Sequence, residues 1–201
     1  MEIIKLNNRN KQLLLFDFDG VLVDSEDFYC DFWYKSLLNY NFRFESSDLL
    51  GTSNRDFLNK FEIDEQDKQQ LIELKLNAER VFFNSQKIYK PLCELLEELK
   101  NYYSMGIVSN NKLSNINRLL YNNDCFDIFQ LVISEDTGIV AKPSAVGYLK
   151  AIDFFKQSKN RTLIIEDSAI GINAAITAEV DYLVFRYDQK EESLNNLICL
   201  L

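Results

Sequence analysis

The clearest chemical feature of the sequence is a pair of aspartates directly after a short apolar run. Residues 16–26, FDFDGVLVDSE, place Asp17 and Asp19 two positions apart. Residues at this spacing on a strand leave the same face, so the two carboxylates converge just past the strand end. Carboxylates this close repel each other unless a cation separates them or one is protonated. The pair indicates a Mg²⁺ site or a proton-sharing acid/base couple, although an Asp-Gly step alone is common in turns.

A second acidic pair follows another short apolar run. Residues 162–166, TLIIE, predict a buried strand that ends at Glu166, with Asp167 directly after it. Ser168 is placed to cap the next helix, and an acidic residue beside a helix start is common without any catalytic role. Ligands of open α/β sheets bind beyond the carboxyl ends of the strands. The two acidic pairs therefore predict an oxygen-rich site that suits Mg²⁺ better than zinc.

Three further candidates are weaker when each is taken alone. Ser109 ends a predicted strand, and its hydroxyl and the loop that begins at Asn110 suit a phosphate group, a turn or a helix cap. Lys142, before Pro143, could neutralise a carboxylate and a phosphoryl oxygen, whereas an isolated Lys-Pro is usually solvated surface. Arg55 ends the segment 51–55, GTSNR, which suits a second anion or sugar hydroxyls, with an ordinary capped helix start as the equal alternative.

The composition excludes several classes of protein. The 201 residues contain no histidine, which removes histidine-dependent triads, His-ligated zinc and an imidazole base. A net charge of −9 without a Lys/Arg stripe argues against a nucleic-acid or membrane partner. The four cysteines have no close metal-ligand spacing and are expected to be reduced thiols. No apolar run resembles a membrane span or a signal peptide, so we expect a cytoplasmic protein.

Alternating strand and helix patterns predict the elements that position these residues. Strands are predicted at 13–18, 103–109, 130–134, 162–166 and 182–186. Helices are predicted between and after them at 92–101, 112–122, 144–157, 170–178 and 189–197. This alternation predicts a doubly wound α/β fold, a parallel Rossmann-like sheet with helices on both faces.

Residues 26–86 interrupt that alternation. They have helical patterns at 27–40, 54–60 and 64–83 and no convincing strand. The prediction is a small α-helical cap, residues 26–86, inserted after the first strand of a core formed by 1–25 and 87–201. Its aromatic residues are expected to form the core of the cap rather than a ligand platform: Phe28, Trp33, Tyr34, Phe57 and Phe61.

With these motifs in this order, the chain resembles the haloacid dehalogenase (HAD) superfamily. The resemblance is to its helical-cap branch of phosphatases and β-phosphoglucomutase-like enzymes, and it covers nearly the whole length. It is carried by Asp17-Phe18-Asp19-Gly20, Ser109, Lys142-Pro143 and Glu166-Asp167-Ser168. The resemblance implies a Mg²⁺-dependent phosphatase in which Asp17 forms an aspartyl-phosphate and Asp19 is the general acid/base.

The same resemblance implies that Ser109 and Lys142 hold the phosphoryl group. Asn110 and Arg55 are further candidates for binding the substrate, Arg55 because of the loop 51–55 that it ends. The resemblance also implies a metal site. The candidates for binding Mg²⁺ are the Asp17 side chain, the Asp19 backbone carbonyl and Asp167, with Glu166 as a further ligand or an orienting partner.

Three alternatives remain open. A β-phosphoglucomutase-like mutase commonly has a histidine where this chain has Tyr29, and a phenol with a pKa of about 10 cannot replace its proton control. A phospho-receiver domain shares the residue types, but its acidic pair comes first and no cap follows. A catalytically silent binding protein would lack at least one motif residue, and none is missing. The favoured prediction is a phosphatase, monomeric or weakly dimeric, for a small phosphorylated metabolite such as a sugar phosphate.

Overall fold

A five-stranded parallel sheet lies at the centre of the molecule. The computed structural model describes residues 11–40, 42–45, 48–49 and 54–201, apart from the side chains at 39 and 56. The strands are β1 Leu13–Phe16, β2 Ser104–Val108, β3 Leu131–Ile133, β4 Thr162–Glu166 and β5 Asp181–Val184. They lie in the order β3-β2-β1-β4-β5, and every neighbouring pair is parallel. The predicted doubly wound α/β class is confirmed.

The central strand β1 is buried on both faces. Leu15 lies between Gly106 of β2 and Ile164 of β4. The even-numbered residues of β1 pack into one hydrophobic cluster and the odd-numbered residues into another, since successive side chains of a strand point to opposite faces. An apolar strand of this kind fits only between two layers of helices.

Helices cover both faces of the sheet. The helices outside residues 26–86 are α4 Lys90–Leu99, α5 Leu113–Asn122, α6 Val146–Phe154, α7 Ala169–Ala178 and α8 Lys190–Leu200. The first, second and last of these pack on one face, and α6 and α7 pack on the other. No helix formed by the described residues is long and apolar enough to cross a membrane.

The segment after β1 is helical, as predicted. It contains α1 Glu26–Leu37, α2 Asn54–Leu58 and α3 Glu65–Ser85, and its described residues form no strand. Trp33 and Phe57, with ring centroids 5.2 Å apart, belong to a hydrophobic cluster separate from those of the sheet. The prediction for Tyr34 is wrong: it follows Trp33 by about 100° around α1 and is 61% exposed. The division into a core and a cap stays a prediction.

Most other differences from the predicted elements are at their ends. The strand predicted for 13–18 ends at Phe16, because the chain turns at Gly20, where φ is 72° and the N–H donates to the Val23 carbonyl. The helix predicted for 144–157 spans only Val146–Phe154, and Lys156 has a left-handed backbone with φ of 51°. The sequence patterns place these elements correctly but extend them into turns.

Two cysteines that are distant in the sequence meet in the core. The Sγ atoms of Cys93 on α4 and Cys125, both free thiols, lie 3.0 Å apart. Burial, reinforced by Cys93, raises the pKa of the Cys125 thiol. The thiol therefore stays protonated, and a protonated thiol is a poor nucleophile.

Adjacent aromatic residues on α1 test the packing of the cap. Trp33→Ala removes a side chain that is 2% exposed and should lower the free energy of unfolding by about 3–5 kcal/mol. Tyr34→Ala removes an exposed side chain and should change it by less than about 0.5 kcal/mol. Urea denaturation followed by far-UV circular dichroism measures both, since Trp33 is the sole tryptophan and fluorescence is lost with it. Equal effects would contradict the packing.

Candidate active site

The carboxyl ends of three neighbouring strands open onto one cavity. Asp17 follows β1, Ser109 follows β2 and Asp167 follows β4, and parallel strands bring these ends to the same edge of the sheet. The cavity has a volume of about 310 Å³. These three residues line it together with Trp33 and Phe57 from the cap. These predicted site residues therefore line one cavity between the sheet edge and helices α1, α2 and α3.

A buried lysine joins two carboxylates on the core side of the cavity. Lys142 Nζ donates to Asp17 Oδ1 at 2.7 Å and to Glu166 Oε1 at 2.5 Å. Burial alone would lower the pKa of Lys142, but Asp17, Tyr148 and Glu166 together hold that pKa well above its usual value. Burial and the charge of Glu166 raise the pKa of Asp17 well above its usual value, against the opposing effect of Lys142. One lysine does not offset all the negative charge here.

Glu166 is held in a single orientation. Its Oε1 also accepts a hydrogen bond from the Tyr148 hydroxyl at 2.6 Å. Its Oε2 accepts from the Asp167 N–H at 3.1 Å and the Ser168 hydroxyl at 3.2 Å. A Cβ at Gly171 would overlap this carboxyl group, so a glycine is needed there. With both oxygens bonded to donors, Glu166 is better suited to orienting Lys142 than to binding a metal.

The acidic cluster fits a divalent cation. One carboxylate oxygen from each of Asp17, Glu166 and Asp167 lies within 4.8 Å of the others. Asp167 Oδ1 is buried and has no hydrogen-bond partner among the described residues. Burial and the charges of Glu166 and Asp19 raise the pKa of Asp167 to about 7. A buried carboxylate oxygen with no donor, in an all-oxygen site, is what a hard cation such as Mg²⁺ would satisfy.

Asp19 is held by two neutral groups. The Ser25 hydroxyl donates to its Oδ1 at 2.6 Å, and the Asn111 side chain donates to its Oδ2 at 2.8 Å. Burial raises the pKa of Asp19, and these two hydrogen bonds oppose the shift. A carboxyl group with a raised pKa, fixed beside the cavity, is suited to donating and accepting a proton.

The other predicted site residues differ in position. The Ser109 hydroxyl is buried at the cavity and accepts a hydrogen bond from the Asn111 N–H at 2.9 Å. The side chain of Asn110 also lines the cavity, but it bonds to the backbone of Lys142 in both directions. Arg55 is exposed and forms an ion pair with Glu65 at 2.9 Å. Residues 51–53 of the predicted contact segment lie outside the described residues.

The structure adds functional candidates that the sequence analysis missed. Ser25 lies in the first motif string, six residues after the carboxylate it contacts, and this proximity was an available signal. Asn111 follows Asn110, and nothing in the sequence shows which of the two side chains reaches Asp19. Lys75 and Glu79 of α3 line the cavity, although their i,i+4 spacing is typical of a solvated helix face.

A family model matches most of the chain and shows the family to which the protein belongs. The family model described as haloacid dehalogenase-like hydrolase matches residues 14–185. The chain belongs to this family. It is therefore an enzyme of the hydrolase class, and the superfamily suggested by the motifs is confirmed.

Individual relatives place this HAD hydrolase near phosphatases. The phosphoglycolate phosphatase of Nitrosococcus oceani is 27% identical over 192 residues, which cover 89% of this chain and 85% of that protein. CbbY from Rhodobacter sphaeroides, solved with phosphate and, as a mutant, with xylulose-(1,5)bisphosphate, matches with a TM-score of 0.73 and 18% identity over 88% of this chain and 86% of that chain. A HAD-superfamily hydrolase of subfamily IA from Geobacter sulfurreducens matches with a TM-score of 0.66 and 19% identity over 88% and 87%. The two structures confirm the fold.

Asp167→Asn tests the cation site without any substrate. The substitution removes one of several mutually repelling charges, so above pH 7, where Asp167 is ionised, the metal-free protein should melt at a higher temperature than the wild type. Saturating Mg²⁺ should stabilise the wild type, by about 2.7 kcal/mol at a hundredfold excess over Kd, and stabilise the variant far less. Thermal unfolding with Mg²⁺ and with EDTA measures both effects. Asp153→Asn, on the exposed face of α6, is the control, and equal Mg²⁺ stabilisation of all three proteins would contradict the site.

Proposed function

We propose that this HAD hydrolase is a Mg²⁺-dependent phosphatase that cleaves the phosphate monoester of a small metabolite through an aspartyl-phosphate on Asp17. The observation that carries the proposal is the pairing of two differently held carboxyl groups at one cavity. Asp17 is bound by the buried cation Lys142, and Asp19 is bound by the neutral groups of Ser25 and Asn111. Environments that differ in this way separate a nucleophile from a general acid.

The proposed reaction has two steps, formation of the aspartyl-phosphate and its hydrolysis. An Asp17 oxygen attacks phosphorus, and the bond to the ester oxygen breaks as that oxygen takes the proton of Asp19 and leaves as an alcohol. A water molecule then attacks the phosphorus of the aspartyl-phosphate and gives a proton to the Asp19 carboxylate. The bond to Asp17 breaks, which releases inorganic phosphate and restores both side chains.

Positive charge is what allows a carboxylate to attack a phosphate dianion. Lys142 beside Asp17 supplies part of it, and the Ser109 hydroxyl is placed to bind a phosphoryl oxygen. Asp17, Asp167 and the backbone carbonyl of Asp19 would hold Mg²⁺, whose charge offsets the remaining repulsion. The buried Asp167 Oδ1 without a donor supports this assignment.

The relatives and the size of the cavity support a small substrate. The similar proteins include a phosphoglycolate phosphatase and a CbbY bound to xylulose-(1,5)bisphosphate. A cavity of about 310 Å³ is at the lower end of the range for small-molecule sites. Because the chain belongs to a hydrolase family, the phospho-receiver alternative is excluded. Cytoplasmic location and a monomeric or weakly dimeric state stay predictions.

Asp17→Asn should abolish turnover of p-nitrophenyl phosphate. The amide cannot act as the nucleophile, and we expect at least about a thousandfold loss of kcat/KM, while EDTA should inactivate the wild type. The matched control is Asp24→Asn, an exposed aspartate in the same motif string, which should keep wild-type activity. Wild-type turnover by Asp17→Asn, or turnover that EDTA leaves intact, would refute the mechanism.

The mutase alternative is tested with hexose phosphates. Tyr29 replaces the histidine expected of a mutase, and burial together with the charges of Asp19 and Glu79 raises its pKa well above the usual value, so the phenol stays neutral. We expect phosphate release from glucose 1-phosphate or glucose 6-phosphate to exceed their interconversion. Phosphorus NMR follows both processes in one sample. Interconversion faster than release would favour the mutase.

A further inference from the structure

A buried ion pair on α3 lines the same cavity as Asp17 and Asp19. The buried residues of α3 repeat every four positions, and between Leu71 and Phe83 this stripe contains Lys75 and Glu79. The two are 7% and 3% exposed, and Lys75 Nζ lies 2.5 Å from Glu79 Oε1. A buried ion pair is often no more stabilising than apolar residues of the same size. Packing of α3 therefore gives no reason for charges at these positions.

The pair is linked to Asp19. Lys75 Nζ lies 4.5 Å from the centre of the Tyr29 ring, and the Tyr29 hydroxyl accepts a hydrogen bond from Asn111, which also donates to Asp19. After burial and its two hydrogen bonds, the pKa of Asp19 is lowered by Lys75 and raised by Glu79. If Asp19 protonates the leaving oxygen, as in the proposed function, the organic part of the substrate extends from Asp19 towards this pair.

Two of the three lysines that line the cavity are paired with carboxylates. Among the described residues, six carboxylates line the cavity against three lysines, Lys75, Lys112 and Lys142. Lys142 is bonded to Asp17 and to Glu166, and Lys75 is bonded to Glu79. With a bound divalent cation, and with Asp19 protonated as the proposed reaction requires, the lining has no net positive charge before any substrate enters. A second anionic group on the substrate would meet no net positive charge.

The other cap residues do not supply a cation that could bind a second anionic group of the substrate. Its other lysines and arginines are exposed or paired with surface carboxylates, as Arg55 is with Glu65. The cap residues outside the described ranges, at 41, 46–47 and 50–53, contain no lysine or arginine. Glu79 therefore determines the electrostatic character of this end of the cavity.

We propose that Glu79, by neutralising Lys75, makes this enzyme selective for phosphate monoesters whose organic part is uncharged and carries hydroxyl groups, and excludes substrates with a second phosphate or a carboxylate. Hydroxyls can donate to the Glu79 carboxylate, and Trp33 and Phe57 provide apolar surface for the carbon chain. The proposal rests on the proposed function. The proposed selectivity differs from that expected of the similar phosphoglycolate phosphatase and of the CbbY that binds xylulose-(1,5)bisphosphate.

Glycerol 3-phosphate and 3-phosphoglycerate form a matched pair of substrates. They differ at the end away from the phosphate, where one has a hydroxymethyl group and the other a carboxylate. We expect kcat/KM of the wild type to be at least about tenfold higher for glycerol 3-phosphate, because like charges in contact are strongly disfavoured. Equal rates, or a preference for 3-phosphoglycerate, would overturn the proposal without any variant.

Glu79→Gln keeps the shape of the side chain and leaves Lys75 as a net cation. The preference should then fall at least about tenfold, mainly through a lower KM for 3-phosphoglycerate. Adding Lys75→Gln to the same chain should abolish this gain. Glu73→Gln, on the exposed face of α3, should leave the ratio unchanged. A folded Glu79→Gln protein with the wild-type ratio would contradict the assignment, and the melting temperature establishes folding.

Calorimetric binding to the Asp17→Asn variant separates this proposal from the proposed function. If the wild type hydrolyses neither p-nitrophenyl phosphate nor either ester, the proposed function fails, but the affinities of the two esters for Asp17→Asn still test the selectivity. Tighter binding of glycerol 3-phosphate supports it. Equal affinity, tighter binding of 3-phosphoglycerate or binding of neither counts against it.

Discussion

An excess of buried negative charge is the constraint on which the site depends. Asp17, Glu166 and Asp167 converge within 4.8 Å, and Lys142 bonds to the first two. At 4 Å, two like charges repel by about 4 kcal/mol at the effective dielectric of a protein surface, and by more when buried. A further cation or a bound proton would relieve this repulsion, and Asp167 Oδ1 has no hydrogen-bond donor among the described residues. The same crowding explains Gly20 and Gly171, where a Cβ would overlap the Asp167 and Glu166 carboxyl groups.

The sheet makes this arrangement possible because it is rigid where the charges are held. β1 is fully buried between β2 and β4, so the positions of the residues that follow it are fixed by packing on both sides. The side chains that orient the carboxylates come from distant parts of the chain: Tyr148 on α6 for Glu166, and Asn111 after β2 for Asp19. Asp19 and Glu166 thus have neutral donors of their own, whereas Asp17 is bonded to Lys142, and such different surroundings let neighbouring acidic groups take different roles.

The sequence predicts those features whose cause is local. The spacing of Asp17 and Asp19, and the strand that ends at Glu166, follow from the period of a strand, and β4 has the predicted bounds. Features that depend on tertiary packing were not predictable. Lys75 and Glu79 have the spacing of a solvated pair and become buried only because this side of α3 lines the cavity. Cys93 and Cys125 meet although 32 positions separate them, and Asn111 rather than Asn110 reaches Asp19.

The absence of histidine has a consequence for proton control at Asp19. The groups bonded to this carboxyl group, the Ser25 hydroxyl and the Asn111 amide, do not titrate near neutral pH. The protonation of Asp19 therefore responds to the charges that enter and leave the cavity rather than to a neighbouring base. In the proposed reaction, a phosphate dianion beside Asp19 raises the pKa of this carboxyl group further and favours the protonated form that the departing alcohol requires. Once the alcohol has taken that proton, Asp19 is a carboxylate and can accept the proton of the attacking water. Lys75 lowers the pKa of Asp19 and Glu79 raises it. Because these two effects oppose each other, the substrate phosphate is the charge that changes the protonation of Asp19.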